Sequence, residues 1–283
     1  MKGRQDQSVG DGSTAVQVNG DLYLNQYTQV RAIFEDLLQL NFPKIQAIAA
    51  ETVRENMRTM FEELRRSMEK SKESLDPSRF EDPQVQYAMQ MMAVDVARRG
   101  KKSNVELLCE LLSLIVSKDC PDLIELIAGE AQRIAPTLSR RHLACLGYLV
   151  TYHEARFPVE APTSPTRLDE IVGRVFSHIS EAAETTESDL GYLGCVRCID
   201  YSPVFADEAP PRFFEALEPE VPVADNSARV EWCRMKRLRN IVSYMELREP
   251  CRASFYTLTP IGRLIGWLHL GQLSSVDVKT LFR

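Results

Sequence analysis

Apolar residues recur at spacings of three and four from Val30 to Met68, and this pattern constrains the fold more than any other feature of the chain. Residues with that spacing lie on one face of an α-helix, so the stretch is predicted to be a long amphipathic helix. An unbroken helix beginning at Thr28 would be roughly 60 Å long at 1.5 Å per residue. Asn41-Phe42-Pro43 is expected to bend or divide it, because proline lacks a backbone donor and crowds the preceding turn.

Capping signals predict further helices along the chain. Asp82-Pro83 combines an N-cap residue with proline at the first helical position, and Gly100 is a stop signal. The helix expected to open at Ser103 is apolar on most sides, which predicts a place at the centre of the core. Pro121 and Ser139 are expected to start two more. The body of the chain is therefore predicted to be mainly α.

Two arginines follow the predicted cap at Ser139. Arg140 and Arg141 fall in the first turn of that helix, where the helix dipole disfavours cations. The simpler interpretation is a surface position without a partner. The alternative is an anion or an acidic partner close by.

The segment Val9–Leu24 differs from the rest, because its apolar residues alternate with polar ones between glycines. Val16 and Val18 precede the turn signal Asn19-Gly20, and Leu22 and Leu24 follow it. The pattern predicts an N-terminal two-stranded β-arm over residues 1–27. A tight two-residue loop would mix apolar and polar residues on each face, whereas a longer loop or an arch places all four apolar side chains on one side.

A hairpin of two strands is marginally stable in water, so this arm must dock on another surface. It can dock on its own helical body or pair with the same arm of neighbouring subunits, and disorder is the third alternative. Pairing between chains predicts a homo-oligomer and a non-enzymatic role in self-assembly. The residues assigned to this interaction are Val16, Gln17, Val18, Asn19, Gly20, Leu22, Tyr23 and Leu24.

The sequence GDGSTAVQVNGD, residues 10–21, resembles the opening of an uncharacterised group of bacterial proteins that continue into helices. Similar glycine-punctuated segments precede bacterial immunity and signalling proteins, and Val16-Gln17-Val18 resembles the core of amyloid-type signalling motifs. FYTLTPIGRLIG, near the C-terminus, is similar to the end of abortive-infection proteins. These resemblances imply a role in bacterial anti-phage defence. They imply no catalytic residue.

The last fifth of the chain is basic. Arg229–Arg283 contains ten lysines and arginines against four aspartates and glutamates, a net charge of +6, whereas the whole chain carries −6 and residues 1–228 therefore −12. The sequence predicts a helix over Ala228–Leu247, a strand over Ser254–Leu258 and a helix over Thr259–Leu270. This order of elements resembles a small winged-helix-like unit.

A nucleic-acid-binding regulator is therefore the alternative function. On one continuous helix, Lys236 and Arg239 would lie opposite the apolar stripe, whereas Arg234 falls within it, so the basic face is not clean. For that reason a winged helix that packs against protein is favoured, and nucleic acid is possible as a partner but not favoured. The possible contacts are Arg234, Lys236, Arg237 and Arg239.

Pro158–Pro165, reading PVEAPTSP, is the clearest linker signal. It predicts a helical domain over residues 28–157, a linker over 158–165 and a C-terminal helical and winged-helix-like domain over 166–283. The start of the chain lacks the apolar stretch of a secretory signal, and the sequence has no apolar run long enough for a membrane span. A cytoplasmic protein with reduced cysteines is expected.

The sequence contains no linear motif of a nucleotide-binding loop, a serine hydrolase or a zinc site. The Cys195-Val-Arg-Cys198 pair lacks a matching second pair of ligands, and none of the four histidines has ligand spacing. Neither a metal nor a cofactor is expected. An enzyme or toxin without a linear motif is the remaining alternative, because catalytic groups can be assembled in space.

Overall fold

The computed structural model describes residues 22–41, 47–118, 120–154, 164–202 and 226–271. Most of these residues are helical, which confirms the mainly α prediction. The helices are α1 Leu22–Asn41, α2 Ala47–Lys70, α3 Pro83–Arg99, α4 Val105–Ile115, α5 Asp122–Ile134, α6 Arg140–His153, α7 Pro165–Ile179, α8 Glu187–Cys195, α9 Asn226–Met235, α10 Arg239–Glu246 and α11 Pro260–Gly271. Short 3-10 turns occupy Pro77–Glu81, Gly100–Ser103, Ala135–Thr137 and Ser180–Glu184.

Local signals set several helix ends as predicted. α1 ends at Asn41, immediately before Phe42-Pro43, so the long amphipathic stretch is divided. At the start of α3 the Asp82 side chain accepts a hydrogen bond from the backbone N–H of Gln84. α3 ends at Arg99, and its C-cap is Gly100, whose φ of 56° lies in the left-handed region that favours glycine.

α4 is the central helix of the first half. Eight of its eleven residues are buried, as its apolar character predicted, and it packs against α2 and α5. It begins at Val105 rather than at Ser103, because Asn104 adopts a left-handed conformation and Ser103 belongs to the preceding 3-10 turn. The Asn104 amide donates to the carbonyls of Ala135 and Leu138, so the turn before α4 is tied to the turn after α5.

α11 packs closely on α6 and also contacts α5. At Gly266 a Cβ atom would lie 2.8 Å from the Leu146 carbonyl oxygen, so only glycine allows this approach. α6 is buried along almost its whole length, from His142 to Tyr152.

The described residues form one small antiparallel sheet, and it is not N-terminal. Strand β1, Ile199–Tyr201, pairs with strand β2, Tyr256–Leu258, in a register that joins Ile199 to Leu258 and Tyr201 to Tyr256. β2 falls within the predicted strand Ser254–Leu258. Its partner was not predicted.

The predicted strand over Leu22, Tyr23 and Leu24 is wrong, because these residues form the first turn of α1. Each residue added to an existing helix gains a backbone hydrogen bond within the chain, whereas a three-residue strand needs a partner. The other assigned residues of the arm, Val16, Gln17, Val18, Asn19 and Gly20, lie outside the described residues.

The predicted linker also lies largely outside the described residues. Its last two residues form the start of α7, where the Ser164 hydroxyl caps the helix and Pro165 occupies the first position. The division into domains stays a prediction.

The predicted helix over Ala228–Leu247 is two helices, α9 and α10. The chain turns at Arg237, whose φ is 62°, and Leu238 N–H donates to the Cys233 carbonyl as α9 ends. The last predicted helix is confirmed as α11, with Thr259 Oγ1 accepting from the Gly262 N–H at its start. No helix of the described residues is long and apolar enough to cross a membrane.

Candidate functional site

A histidine and an aspartate meet where α6 approaches α8, and a cysteine lies one turn further along α6. These are the residue types of a nucleophilic site. His142 Nε2 lies 3.1 Å from Asp189 Oδ1, and the cysteine is Cys145. The ring of Tyr192 stacks on the imidazole at 5.1 Å between centroids.

Both nitrogens of the His142 ring are already engaged. The backbone N–H of Ser139 donates to Nδ1, so the neutral ring carries its proton on Nε2 and donates it to Asp189. Burial lowers the pKa of His142, and Asp189 opposes that shift only in part. No ring nitrogen is left to accept a proton from the Cys145 thiol.

Cys145 is itself fully buried, and hydrogen bonding to Cys251 together with burial raises the pKa of its thiol well above the ordinary value. A reactive cysteine needs the opposite, a lowered pKa and access to solvent. The arrangement therefore fits a structural junction between two helix starts.

Arg141 is part of the same junction. Its guanidinium donates to the Glu184 carbonyl at 3.2 Å and lies 3.7 Å from Asp189 Oδ1. Of the two interpretations of Arg141, the structure agrees with the one that places an acidic group close by, and that group is Asp189.

The four predicted nucleic-acid contacts lie around the break between α9 and α10. Arg234 pairs with Glu246 at 3.4 Å and with Glu231 at 3.6 Å, and the Lys236 ammonium lies 5.8 Å from the centre of the Trp232 ring. Arg237 occupies the turn and Arg239 opens α10, and both are exposed. The four residues do not lie on one continuous helix as predicted, because α9 ends at Met235 and α10 begins at Arg239. A role in binding nucleic acid stays a prediction.

The two cysteines of the CxxC pair differ in exposure. Cys195 is exposed, whereas Cys198 is buried and burial raises the pKa of its thiol to about 12. Within the described ranges, no group of three or more histidine, cysteine, aspartate or glutamate side chains is placed to hold a metal ion.

A large open cavity of about 970 Å³ lies between α1 and α2. Its arginines pair with glutamates of their own helices, as Arg31 does with Glu35 at 2.8 Å and Arg58 with Glu62 at 3.4 Å. These pairs are exposed, so each contributes little to stability, and they do not identify a ligand for the cavity.

A second cavity, of about 580 Å³, is an open groove between α3 and α5. We call it the α3–α5 groove. Two large apolar side chains on its walls are mostly exposed, Tyr87 of α3 at 57% and Leu126 of α5 at 66%. Its charged residues pair, Glu125 with Arg79 at 2.6 Å and Glu130 with Arg133 at 3.0 Å. Apolar walls and neutralised charges are typical of a surface that another protein covers.

Gln132 lines the same groove and has an unusual environment. The residue is 4% exposed, and neither Nε2 nor Oε1 has a hydrogen-bond partner among the described residues. Buried amides are nearly always hydrogen bonded, so this pair of free groups requires an explanation.

Gly129 lies one turn before Gln132 and also lines the groove. A Cβ atom at this position would meet nothing within 4 Å, whereas one at Gly262 would lie 1.9 Å from the Cys198 carbonyl oxygen. Packing therefore requires glycine at Gly262 and does not require it at Gly129. The absence of a side chain at Gly129 keeps the groove open.

The sequence analysis did not identify this groove. Two signals were present, a glycine in the interior of a strongly helical segment and a glutamine among the small inward residues Ala128, Ala131 and Ala135. Neither signal indicates which helix lies opposite, and the groove exists only because α3 packs beside α5.

One comparison with known proteins gives a match. The model of an uncharacterised family matches residues 25–217, more than half of the 283 residues. The matched part includes the α3–α5 groove, but neither Val16–Gly20 nor α9, α10 and α11. No curated protein and no solved structure matches the chain.

Proposed function

This chain belongs to an uncharacterised family, whose model covers residues 25–217, and we propose that it is a non-enzymatic protein that assembles with copies of itself. One copy uses its N-terminal segment, and another copy supplies its helical body. The observation that carries this proposal is the α3–α5 groove, with Tyr87 and Leu126 exposed on its walls.

The N-terminal segment that takes part is shorter than the alternation suggests. Leu22 and Leu24 belong to α1, so Val16 and Val18 are the apolar side chains left for an extended arm. Two valines cannot form a stable unit alone, and covering them on another surface removes their apolar area from water.

GDGSTAVQVNGD resembles the opening of an uncharacterised bacterial group, and similar segments precede bacterial immunity proteins. Together with the resemblance of FYTLTPIGRLIG to abortive-infection proteins, this supports a role for the assembly in anti-phage defence. In such a role, the number of copies assembled would carry the signal.

Deleting residues 1–21 and measuring the molar mass by light scattering tests the proposal. The full chain is expected to be an oligomer and the deleted chain to have the mass of one copy. The double variant Val16→Asp, Val18→Asp is expected to behave like the deletion, because charge on the apolar face is costly to bury. Val9→Asp, outside the alternating pair, is the matched control. An unchanged mass after deletion would contradict the proposal.

The alternative function is binding of nucleic acid through the winged-helix-like unit. The exposed cluster of Lys236, Arg237 and Arg239 at the α9–α10 break favours it. It predicts binding to a duplex that weakens steeply as salt rises and that is lost when these three residues are changed to glutamine. Binding that does not depend on salt, or no binding at all, would exclude it.

A further inference from the structure

Two residues on the floor of the α3–α5 groove lower the stability of the single chain. Gln132 buries an amide without partners, and Gly129 places a flexible residue inside a helix where packing would accept a side chain. If another chain lies in the groove, the Gln132 amide can form hydrogen bonds with it. The missing side chain at Gly129 leaves room for that chain.

We infer that this floor recognises the main chain of an extended segment, and that the segment is Val16–Gly20 of a second copy. This inference rests on the proposed self-assembly and assigns its receiving site. The Gln132 amide donates from Nε2 to a backbone carbonyl and accepts at Oε1 from a backbone N–H.

The chemistry of a carboxamide suits this task, because it offers a donor and an acceptor side by side. In an extended segment the N–H and C=O of one residue point to the same side, between side chains that face up and down. With Val16 and Val18, which face the same side, against the wall that carries Leu126, the main chain of Gln17 passes over Gln132. To reach it the Gln132 side chain must turn toward the groove, and it breaks no hydrogen bond in doing so.

Size and charge fit the same occupant. From Glu125 to Arg133 the axis of α5 rises by about 12 Å, which corresponds to roughly four residues of extended chain. The charges lining the groove are paired, so it favours a segment without charge. Gly12–Gly20 contains no charged residue.

A short tether limits where the chain's own segment can reach. Only four residue steps join Val18 to Leu22, the first residue of α1, and they span at most about 14 Å. Of the described residues that line the groove, all belong to α3, the end of α4 and α5, and none to α1. A segment from another copy has no such restraint.

Filling the groove in the full chain tests the inference. Gly129→Leu adds a side chain whose Cβ meets no neighbour, and it is expected to fill the groove. Gly191→Leu on α8 is the matched control because its Cβ is equally unobstructed. Gln132→Leu removes the amide at similar volume. Both groove variants are expected to weaken assembly at least tenfold by light scattering over a concentration series, whereas Gly191→Leu leaves it unchanged. Circular dichroism confirms that each variant is folded.

Cross-linking distinguishes a segment supplied by another copy from the chain's own segment. A photo-reactive phenylalanine analogue at position 87 is placed in a one-to-one mixture of ¹⁴N- and ¹⁵N-labelled full chains. Cross-links between position 87 and residues 12–20 are expected to include pairs of peptides with different isotopes. Cross-links of one isotope only would mean that the chain's own segment fills the groove, which overturns the inference.

The two proposals fail in distinguishable ways. If deletion of residues 1–21 dissociates the oligomer while Gly129→Leu and Gln132→Leu assemble normally, the assembly stands and this receiving site is wrong. If the deletion also leaves the mass unchanged, both are wrong.

Discussion

The imidazole of His142 donates to the carboxylate of Asp189 across 3.1 Å, and this bond joins the third residues of two helices. Each of the two residues also closes the capping box of its own helix. Nδ1 of His142 accepts from the Ser139 N–H, and Oδ2 of Asp189 accepts from the Thr186 N–H. One side-chain contact therefore fixes the starts of α6 and α8 relative to each other.

Asp189→Ala is predicted to lower the free energy of unfolding by about 1–3 kcal/mol, because it removes a cap and leaves a buried imidazole donor without its acceptor. Although burial alone would raise the pKa of Asp189, its hydrogen bonds from Thr186 hold that pKa below the ordinary value. The stabilisation by this carboxylate is thus present above its unfolded pKa and is lost as pH falls through the folded one. Urea unfolding at pH 7 measures the effect, with Glu181→Gln, an exposed carboxylate, as control.

Glu110 on α4 predicts a pH dependence of opposite sign. Burial raises its pKa to about 7, an effect that Lys70 opposes and Glu106 reinforces. A glutamate with a raised folded pKa stabilises fully below its unfolded pKa, and that contribution is lost as pH rises toward 7. Glu110→Gln is therefore expected to be more stable than the parent by about 2 kcal/mol at pH 8 and little different at pH 4.5. Thermal unfolding of the parent and the variant across this pH range measures it.

The groove residues predict a gain in stability on substitution. Gly129→Ala is expected to stabilise by about 0.5–1 kcal/mol, because alanine is the better helix former and its Cβ meets no neighbour. Gln132→Leu is expected to gain about 1–2 kcal/mol by removing an unpaired buried amide. Gly262→Ala is the contrasting variant and should lose at least about 2 kcal/mol, since its Cβ would collide with the Cys198 carbonyl. Denaturant melts of the three variants would contradict this account if Gly129→Ala were destabilised.

Asp169 predicts a long-range capping effect. Its carboxylate on α7 accepts from the Ile241 N–H at 2.9 Å and from the Asn240 amide at 2.9 Å, so it caps α10 from another helix. Leu238, the N-cap residue of α10, supplies no side-chain cap. Asp169→Ala is expected to cost about 1–2 kcal/mol and to increase hydrogen exchange in the first turn of α10. Equal protection of these amides in both proteins would show that the cap is not needed.

Features with a local cause could be predicted from the sequence. The break before Pro43, the cap at Asp82 and the stop at Gly100 each depend on a few adjacent residues, and all three are present. The alternation at Leu22 and Leu24 was misleading, because a single pair of apolar residues is too short a run to distinguish a strand from the beginning of a helix.

Features set by distant contacts could not be predicted in this way. The start of α10 depends on Asp169, more than seventy residues earlier in the chain, and β1 pairs with a strand more than fifty residues away. The candidate site has the same origin. Gly129 and Gln132 can be noticed in the sequence, but the groove that they line also requires Tyr87 from another helix.

The close packing of Gly266 on Leu146 has a consequence for how the protein is made. These residues are 120 positions apart, and α11 covers a face of α6 that is otherwise apolar. At the usual pace of translation, the ribosome needs on the order of 10 s to synthesise that interval. During those seconds the nascent chain exposes the face that α11 will cover, so a chain halted before residue 260 is expected to be held by chaperones or degraded.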